Sequence, residues 1–196
     1  MLLRKCFGLT LMTGLLMTGL LMTGILVTGL TLTPQASAAL QTGAKAPVFT
    51  LPASLAGHKF NFSLATALKK GPVVLYFYPA AFTPGCTIEA HDFAEAMDQF
   101  QALKATVIGV SMDQFDTLKK FSVSECRNRF AVAADESGAV SALYDARQSH
   151  DTHAARMSYV IAPDGKILMS YENRSPDQHV AQTLSTLQQW KAESSR

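Results

Sequence analysis

The chain has 196 residues, 48% of them hydrophobic, with 17 basic residues against 15 acidic ones. That length suits a leader plus one domain with one sizeable core. The charge is nearly balanced and no basic stripe is interleaved with aromatics, which excludes nucleic-acid binding on electrostatic grounds.

The N-terminal segment does not read as folded domain. Arg4 and Lys5 precede a run without charge from Phe7 to Thr33 that repeats LMTGL, LMTGL, LMTGI and LVTGL. The period is too short for a solenoid unit. A basic start, an apolar tract and Ala36-Ser37-Ala38 describe a secretory signal peptide over residues 1–38, cleaved after Ala38. The tract is also long enough to cross a bilayer, which needs about 20 apolar residues, so an uncleaved membrane anchor is the alternative. Cys6 precedes the apolar run rather than ending it, which excludes a lipoprotein signal. The expected product is an exported, periplasmic domain, residues 39–196, with 15 basic and 15 acidic residues. It keeps two cysteines, Cys86 and Cys126. A pair of cysteines in an exported protein commonly forms a disulfide.

In the domain, Gln41 to Pro52 is loop and short strand, and Gly57 marks a turn between short strands. Ser63 caps a short helix that Gly71-Pro72 stops. VVLYFY, Val73 to Tyr78, is apolar on both faces, as a buried parallel strand is. Thr87 to Leu103 is a helix with Phe93, Met97, Phe100 and Leu103 at helical spacing. Ala105 to Ser111 is a second buried strand. Asp113 caps a helix carrying Phe115, Leu118 and Phe121, and Phe130 to Asp135 is a third strand. Gly138 to Leu143 is a short helix. Met157 to Glu172 is a hairpin around Pro163-Asp164-Gly165. Asp177 begins a closing helix with Val180, Leu184, Leu187 and Trp190. Alternating strands and helices with one late hairpin define an α/β fold, a mixed central β-sheet flanked by helices.

Cys86 stands in the first turn of the helix that follows the first buried strand. Sites in open α/β sheets gather at the carboxyl ends of strands. A helix N-terminus offers unpaired N–H groups and a partial positive charge, which favour a thiolate over a thiol. The Thr83 hydroxyl is placed to hydrogen-bond the sulfur or a substrate oxygen. Pro79 and Pro84 restrict the loop between strand and helix. The bland alternative is that Cys86 is a small buried hydrophobe.

The residues Pro79-x-x-x-Thr83-x-x-Cys86 resemble the active-site signature of the peroxiredoxins. The wider stretch FYPAAFTPGCTIEA is similar to the peroxiredoxin Q, or bacterioferritin-comigratory, branch. Gly43-x-x-Ala46-Pro47-x-Phe49-x-Leu51, GVSMD from Gly109 to Asp113, and Arg156-x-Ser158-Tyr159-Val160-Ile161 with Pro163-Asp164-Gly165-Lys166 match in order. The likeness runs from Gln41 to Trp190. It implies a thioredoxin-like fold and a thiol peroxidase that needs no metal or organic cofactor. Cys86 would be peroxidatic, Pro79, Thr83 and Arg156 would shape its pocket, a hydroperoxide would be the substrate, and a thioredoxin-like protein would be the reductant. The state would be a monomer or dimer, with membrane contact only through an uncleaved leader.

The chain also departs from the pattern. Many relatives carry a resolving cysteine five residues after the peroxidatic one, where this chain has His91, a surface or capping residue. Others place it in the next helix, which makes Cys126 the candidate resolving residue. A one-cysteine cycle is the alternative. So is a non-catalytic module with a structural Cys86–Cys126 bridge. A disulfide oxidoreductase would need Cys-x-x-Cys, but Glu89 stands in place of the second thiol. A copper-handling relative would need a close cysteine pair. His150-x-x-His153 has no third ligand at a recognisable spacing and reads as solvated loop.

Overall fold

Four short apolar runs build the middle of the molecule. The computed structural model describes residues 40–147 and 150–195, so the leader expected over residues 1–38 lies outside the described residues. The buried strands are β3 (Val73–Phe77), β4 (Thr106–Ser111), β5 (Ala131–Ala134) and β6 (Met157–Ile161). They are flanked by β1 (Thr50–Leu55) and by the edge strands β2 (His58–Ser63) and β7 (Ile167–Glu172). Together they form one seven-stranded sheet in the order β2-β1-β5-β4-β3-β6-β7. β5, β4 and β3 run parallel, and the remaining pairings are antiparallel. The mixed sheet is the one read from the sequence. The β6–β7 turn falls at Pro163-Asp164-Gly165, where Gly165 has φ +82°.

The pleat of β3 sends side chains alternately into two cores. Val73, Leu75 and Phe77 enter one core with Phe49, Ile108, Tyr144 and Tyr159. Val74, Tyr76 and Tyr78 enter the other with Phe93, Phe100, Phe121 and Phe130. Two short helices, α1 (Leu64–Leu68) and α4 (Ala139–Leu143), supply residues to the first core. The longer α2 (Pro84–Ala102), α3 (Phe115–Ser124) and α5 (His179–Ser194) cover the second. Both Cys86 and Cys126 belong to that second core. Tyr76 needs Gly109 as its register partner on β4, because a Cβ there would lie 2.7 Å from the ring.

Ser63 caps α1 as expected, accepting the Thr66 N–H at 3.4 Å. Three other boundaries differ. α2 starts at Pro84, three residues before Thr87, because proline is well placed at the first helical position, where no N–H bond is lost. Asp113 does not cap α3, and Gln114 holds that position without a side-chain bond. The Asp113 carboxylate instead accepts the Ala81 N–H and the Ser111 hydroxyl, both at 2.8 Å. It ties the loop after β3 to the end of β4. Likewise Gln178, not Asp177, precedes α5.

One face of α2 is zipped to the turn after α3. His91, Glu95 and Asp98 pair with Glu125, Arg127 and Arg129 respectively, the first two at 2.9 and 3.0 Å. Spacings of four and three residues put the α2 partners on one stripe. The turn itself contains two consecutive non-glycine residues with positive φ, Arg127 at +50° and Asn128 at +57°.

Candidate active site

β3 ends at Phe77, and the chain crosses Pro79 to Thr83 before α2 begins. Phe82, at φ +62°, makes an edge contact with Phe121 at 5.2 Å, so the loop is held in a conformation unusual for a bulky residue. Thr83 is the N-cap, Pro84 and Gly85 follow, and Cys86 is the third helical residue. Its sulfur lies where the unpaired N–H groups of the first turn create positive potential. The side chain is 2% exposed.

A guanidinium closes the other side. Arg156 stands immediately before β6, and its Nη2 donates to the Cys86 sulfur at 3.5 Å. Gly85 makes room for it, since a Cβ there would lie 3.1 Å from Nη2. Arg156 Nη1 donates to Glu89, and Nε donates to the Arg174 carbonyl at 2.9 Å. Burial would lower the Arg156 pKa, but the Glu89 carboxylate and the Cys86 thiolate outweigh that and raise it. The guanidinium stays charged.

Glu89 is one helical turn after Cys86, on the same face of α2, and is wholly buried. Burial pushes its pKa up to about 8, against the lowering effect of Arg156. Its second oxygen, Oε1, faces His179 Nδ1 at 3.7 Å, an ion-pair distance too long for a hydrogen bond. His179 is also fully buried. Its Nε2 donates to the Asn173 carbonyl at 2.9 Å, and its Nδ1 meets the Ser158 hydroxyl at 2.8 Å.

Arg156 and Pro79 line a cleft of about 660 Å³, together with Arg147, Arg174, Glu172 and the histidines His150 and His153. The cleft thus reaches the guanidinium that touches the sulfur. The Thr83 hydroxyl donates to the Ala80 carbonyl at 2.9 Å rather than to Cys86, leaving its oxygen lone pairs as acceptors.

Cys126 does not lie in α3 but in the turn just past it, and its N–H donates to the Phe121 carbonyl at 3.0 Å. It is fully buried and, like Cys86, a free thiol. Burial, with the nearby Glu125, pushes its pKa far up. Tyr76 and Tyr78 are close enough to feel a charge on either sulfur. His91 is neither free nor a cap, since it pairs with Glu125 next to Cys126.

Sequence reading thus named Cys86, Arg156 and Pro79, which the structure gathers, but missed Glu89, His179, Gly85 and Asp113 as parts of the site. The signal for Glu89 was available: a carboxylate on the helical face of Cys86, Ala90 and Phe93. His179 carried no comparable mark, because its partners come from a distant strand and loop.

Comparison with known proteins places the chain bearing this site in a family. The family model described as AhpC/TSA matches residues 42–170, and the chain belongs to that family. Its relatives place it in the peroxiredoxin Q and bacterioferritin-comigratory branch. It is 33% identical to a protein named chloroplastic peroxiredoxin Q from Sedum lineare, over 79% of this chain and 81% of that one. It is 33% identical to a putative peroxiredoxin bcp of Helicobacter pylori, over 76% of this chain and 98% of that one. Among solved structures, the peroxidoxin BcpB of Mycobacterium tuberculosis superposes with a TM-score of 0.69 at 33% identity, covering 76% of this chain and 97% of that one. The thioredoxin-like fold expected from the resemblance is the one found.

Proposed function

We propose that the protein is a thiol-dependent peroxidase in which Cys86 is oxidised by a hydroperoxide. The carrying observation is the Arg156 Nη2–Cys86 Sγ hydrogen bond at the start of α2. It sets a fixed positive charge against the sulfur in a site nearly closed to water. The thiolate attacks the terminal peroxide oxygen. An S–O bond forms, the O–O bond breaks, and the departing alkoxide or hydroxide takes a proton to leave as alcohol or water. Negative charge moves from sulfur to oxygen along that path, within reach of Arg156 and the first-turn N–H groups. Fixed donors aimed at developing charge are among the strongest contributions to catalysis. The product is Cys86 sulfenic acid.

The Cys126 thiol then attacks the Cys86 sulfenic sulfur, forming the disulfide and releasing water. A thioredoxin-like dithiol returns both cysteines to thiols. Because both thiols are buried, this step requires local opening, at the first turn of α2 or at the turn after α3. The same burial favours a second reading, a one-cysteine cycle in which an outside thiol reduces Cys86 directly. Export is proposed on the basic start, apolar run and Ala-x-Ala of residues 1–38.

The test is intact-mass analysis of the reduced chain after one equivalent of peroxide, with free thiols alkylated. Rapid oxidation at Cys86, absent from Cys86→Ser, is the expected outcome. A Cys86→Ser variant that still consumes peroxide at more than a trace rate would refute the assignment.

A further inference from the structure

His91 stands five residues after Cys86 on α2, and it clips the chain just before Cys126. Its Nε2 meets Glu125 Oε2 at 2.9 Å, and Glu125 is the C-cap of α3. The clip therefore spans the two elements that carry the two thiols. Its side chains are 34% and 20% exposed, against 45% and 66% for Arg127 and Glu95. A partly buried pair is screened less by salt and water, so its charge counts for more. We propose that His91 is a positioning residue for the second half of the thiol cycle. Its protonated imidazole holds the turn of Cys126 shut, and loss of that proton loosens the turn so that Cys126 reaches Cys86. The idea rests on the peroxidase reading of the site, in its two-cysteine form.

The turn is built so that this contact matters. The N–H groups of Glu125 and Cys126 both donate to the Phe121 carbonyl at 3.0 Å, which ties them to the end of α3. Beyond them Arg127 and Asn128 have positive φ, and the Arg129 N–H donates back to the Cys126 carbonyl at 2.8 Å. Backbone in the left-handed region persists only where its surroundings hold it there. Three side-chain pairs from α2 do so. Arg127 binds Glu95 and Arg129 binds Asp98, and those four groups keep their charges near neutral pH. An imidazole does not, since histidine is the side chain that changes charge in that range. His91 is therefore the pair of the three that a proton can loosen. A neutral imidazole still donates one hydrogen bond to Glu125, but the ion pair is gone.

The charged groups nearby are shared among three segments. On α2, Asp92 is the next residue and feels the His91 charge, and Glu95 lies one turn on, bound to Arg127. From the turn come Glu125 itself and Arg127. From the segment before α5, Asp177 acts on Asp92. The Cys126 thiol adjoins Glu125 and feels its carboxylate. That last contact has a consequence of opposite sign. An imidazolium that neutralises Glu125 makes the Cys126 thiol easier to ionise, which by itself would speed disulfide formation at low pH. A latch slows it there. The chemical step is the same in both cases: the S–S bond forms, the S–O bond of the sulfenic acid breaks and water leaves.

Opening of the turn can be read without turnover. The reduced full chain is alkylated with iodoacetamide between pH 5.5 and 8.5, and the rate at Cys126 is resolved by peptide mass. Wild type is compared with His91→Gln, or with His91→Asn should the first variant not fold. Dividing the variant rate by the wild-type rate at each pH cancels the ionisation common to every thiol. The ratio is expected to be about threefold or more at pH 5.5, the order of one ion pair, and to fall toward one by pH 8. In a Glu125→Gln background the same His91 substitution should leave the rate unchanged at every pH. Formation of the Cys86–Cys126 peptide after one equivalent of peroxide should follow the same falling ratio. A ratio flat across pH, or below one at pH 5.5, overturns the proposal, as does a pH-dependent effect that survives in Glu125→Gln. A falling alkylation ratio in a protein that forms no Cys86–Cys126 peptide would instead fault the two-cysteine reading and leave the latch standing.

Discussion

Arg156 and Cys86 are 70 positions apart in the chain, yet the guanidinium Nη2 donates to the sulfur at 3.5 Å. Antiparallel pairing of β6 with β3 makes this contact. Phe77, the last residue of β3, faces Met157, so the residue before β6 emerges beside the loop that leads to α2. The sheet register therefore decides which arginine reaches the thiol. Gly85 then decides how close it comes.

Replacing Arg156 with alanine is expected to slow peroxide reduction by about 10²- to 10³-fold, the loss seen when a donor to transition-state charge is removed. The chain should still fold, because Glu89 is neutral at pH 7 when its pKa is near 8 and so does not become a bare buried charge. Stopped-flow peroxide kinetics measure the rate, and circular dichroism confirms the fold. A near-wild-type rate would mean that another cation serves the sulfur.

Stability should fall between pH 6.5 and 8 because of Glu89. Its pKa is about 8 folded and 4.5 unfolded, so between those values the folded chain binds more protons and loses stability as pH rises. His179 has the opposite sign. Its folded pKa is below 6.5, so the unfolded chain binds more protons and stability rises with pH up to that value. The two oppose each other below pH 6.5, and above it Glu89 acts alone. At roughly 1.4 kcal/mol per pH unit, the window is worth at most about 2 kcal/mol. Urea midpoints at pH 6.5 and 8 should differ in the wild type and converge in Glu89→Gln. Equal wild-type midpoints would mean that Glu89 is already ionised at pH 6.5.

These two predictions rest on residues of unequal visibility in the sequence. The buried strands were legible because Val73 to Phe77 and Thr106 to Ser111 are continuous apolar runs between turn signals. Cys86 was legible because a lone thiol at a strand–helix junction has no packing rationale, and the ordered motifs added Arg156. Asp113 was misread, because a carboxylate just before a helix satisfies the capping pattern whether or not its side chain turns back. Here it turns to Ala81 and Ser111 instead. The Glu89–His179 contact joins α2 to the start of α5 across 90 positions, a separation that local periodicity does not encode. Cys126 was assigned to a helix, but α3 ends at Ser124 and the chain turns through two left-handed residues.

The exported form is expected to begin at Ala39. Terminal sequencing of protein recovered from the periplasm of an expressing bacterium should read Ala-Leu-Gln-Thr. Intact Met1 in the membrane fraction would favour the uncleaved anchor.

Cys126 is expected to resolve the Cys86 sulfenic acid within the same chain. Both thiols belong to one core, but each is held by its own backbone, and a disulfide needs Cα atoms within about 7 Å. Opening is easiest at two places. The first turn of α2 is a helix terminus with few contacts to lose. The turn carrying Cys126 holds Arg127 and Asn128 in the left-handed region, each storing about 1 kcal/mol or more of strain. What holds that turn shut is the stripe of pairs from His91, Glu95 and Asp98. The two arginine pairs are exposed and each worth about 0–1 kcal/mol, so that part of the latch is weak. Non-reducing peptide maps after one equivalent of peroxide should show a Cys86–Cys126 peptide in the wild type. Cys126→Ser should accumulate sulfenic or sulfinic Cys86. The double variant Glu95→Gln, Asp98→Asn should form the disulfide severalfold faster, because it loosens the turn without touching either sulfur. Stable sulfenic acid in the wild type, with no internal bridge, would establish the one-cysteine cycle instead. A disulfide rate unchanged in the double variant would place the opening at α2 alone.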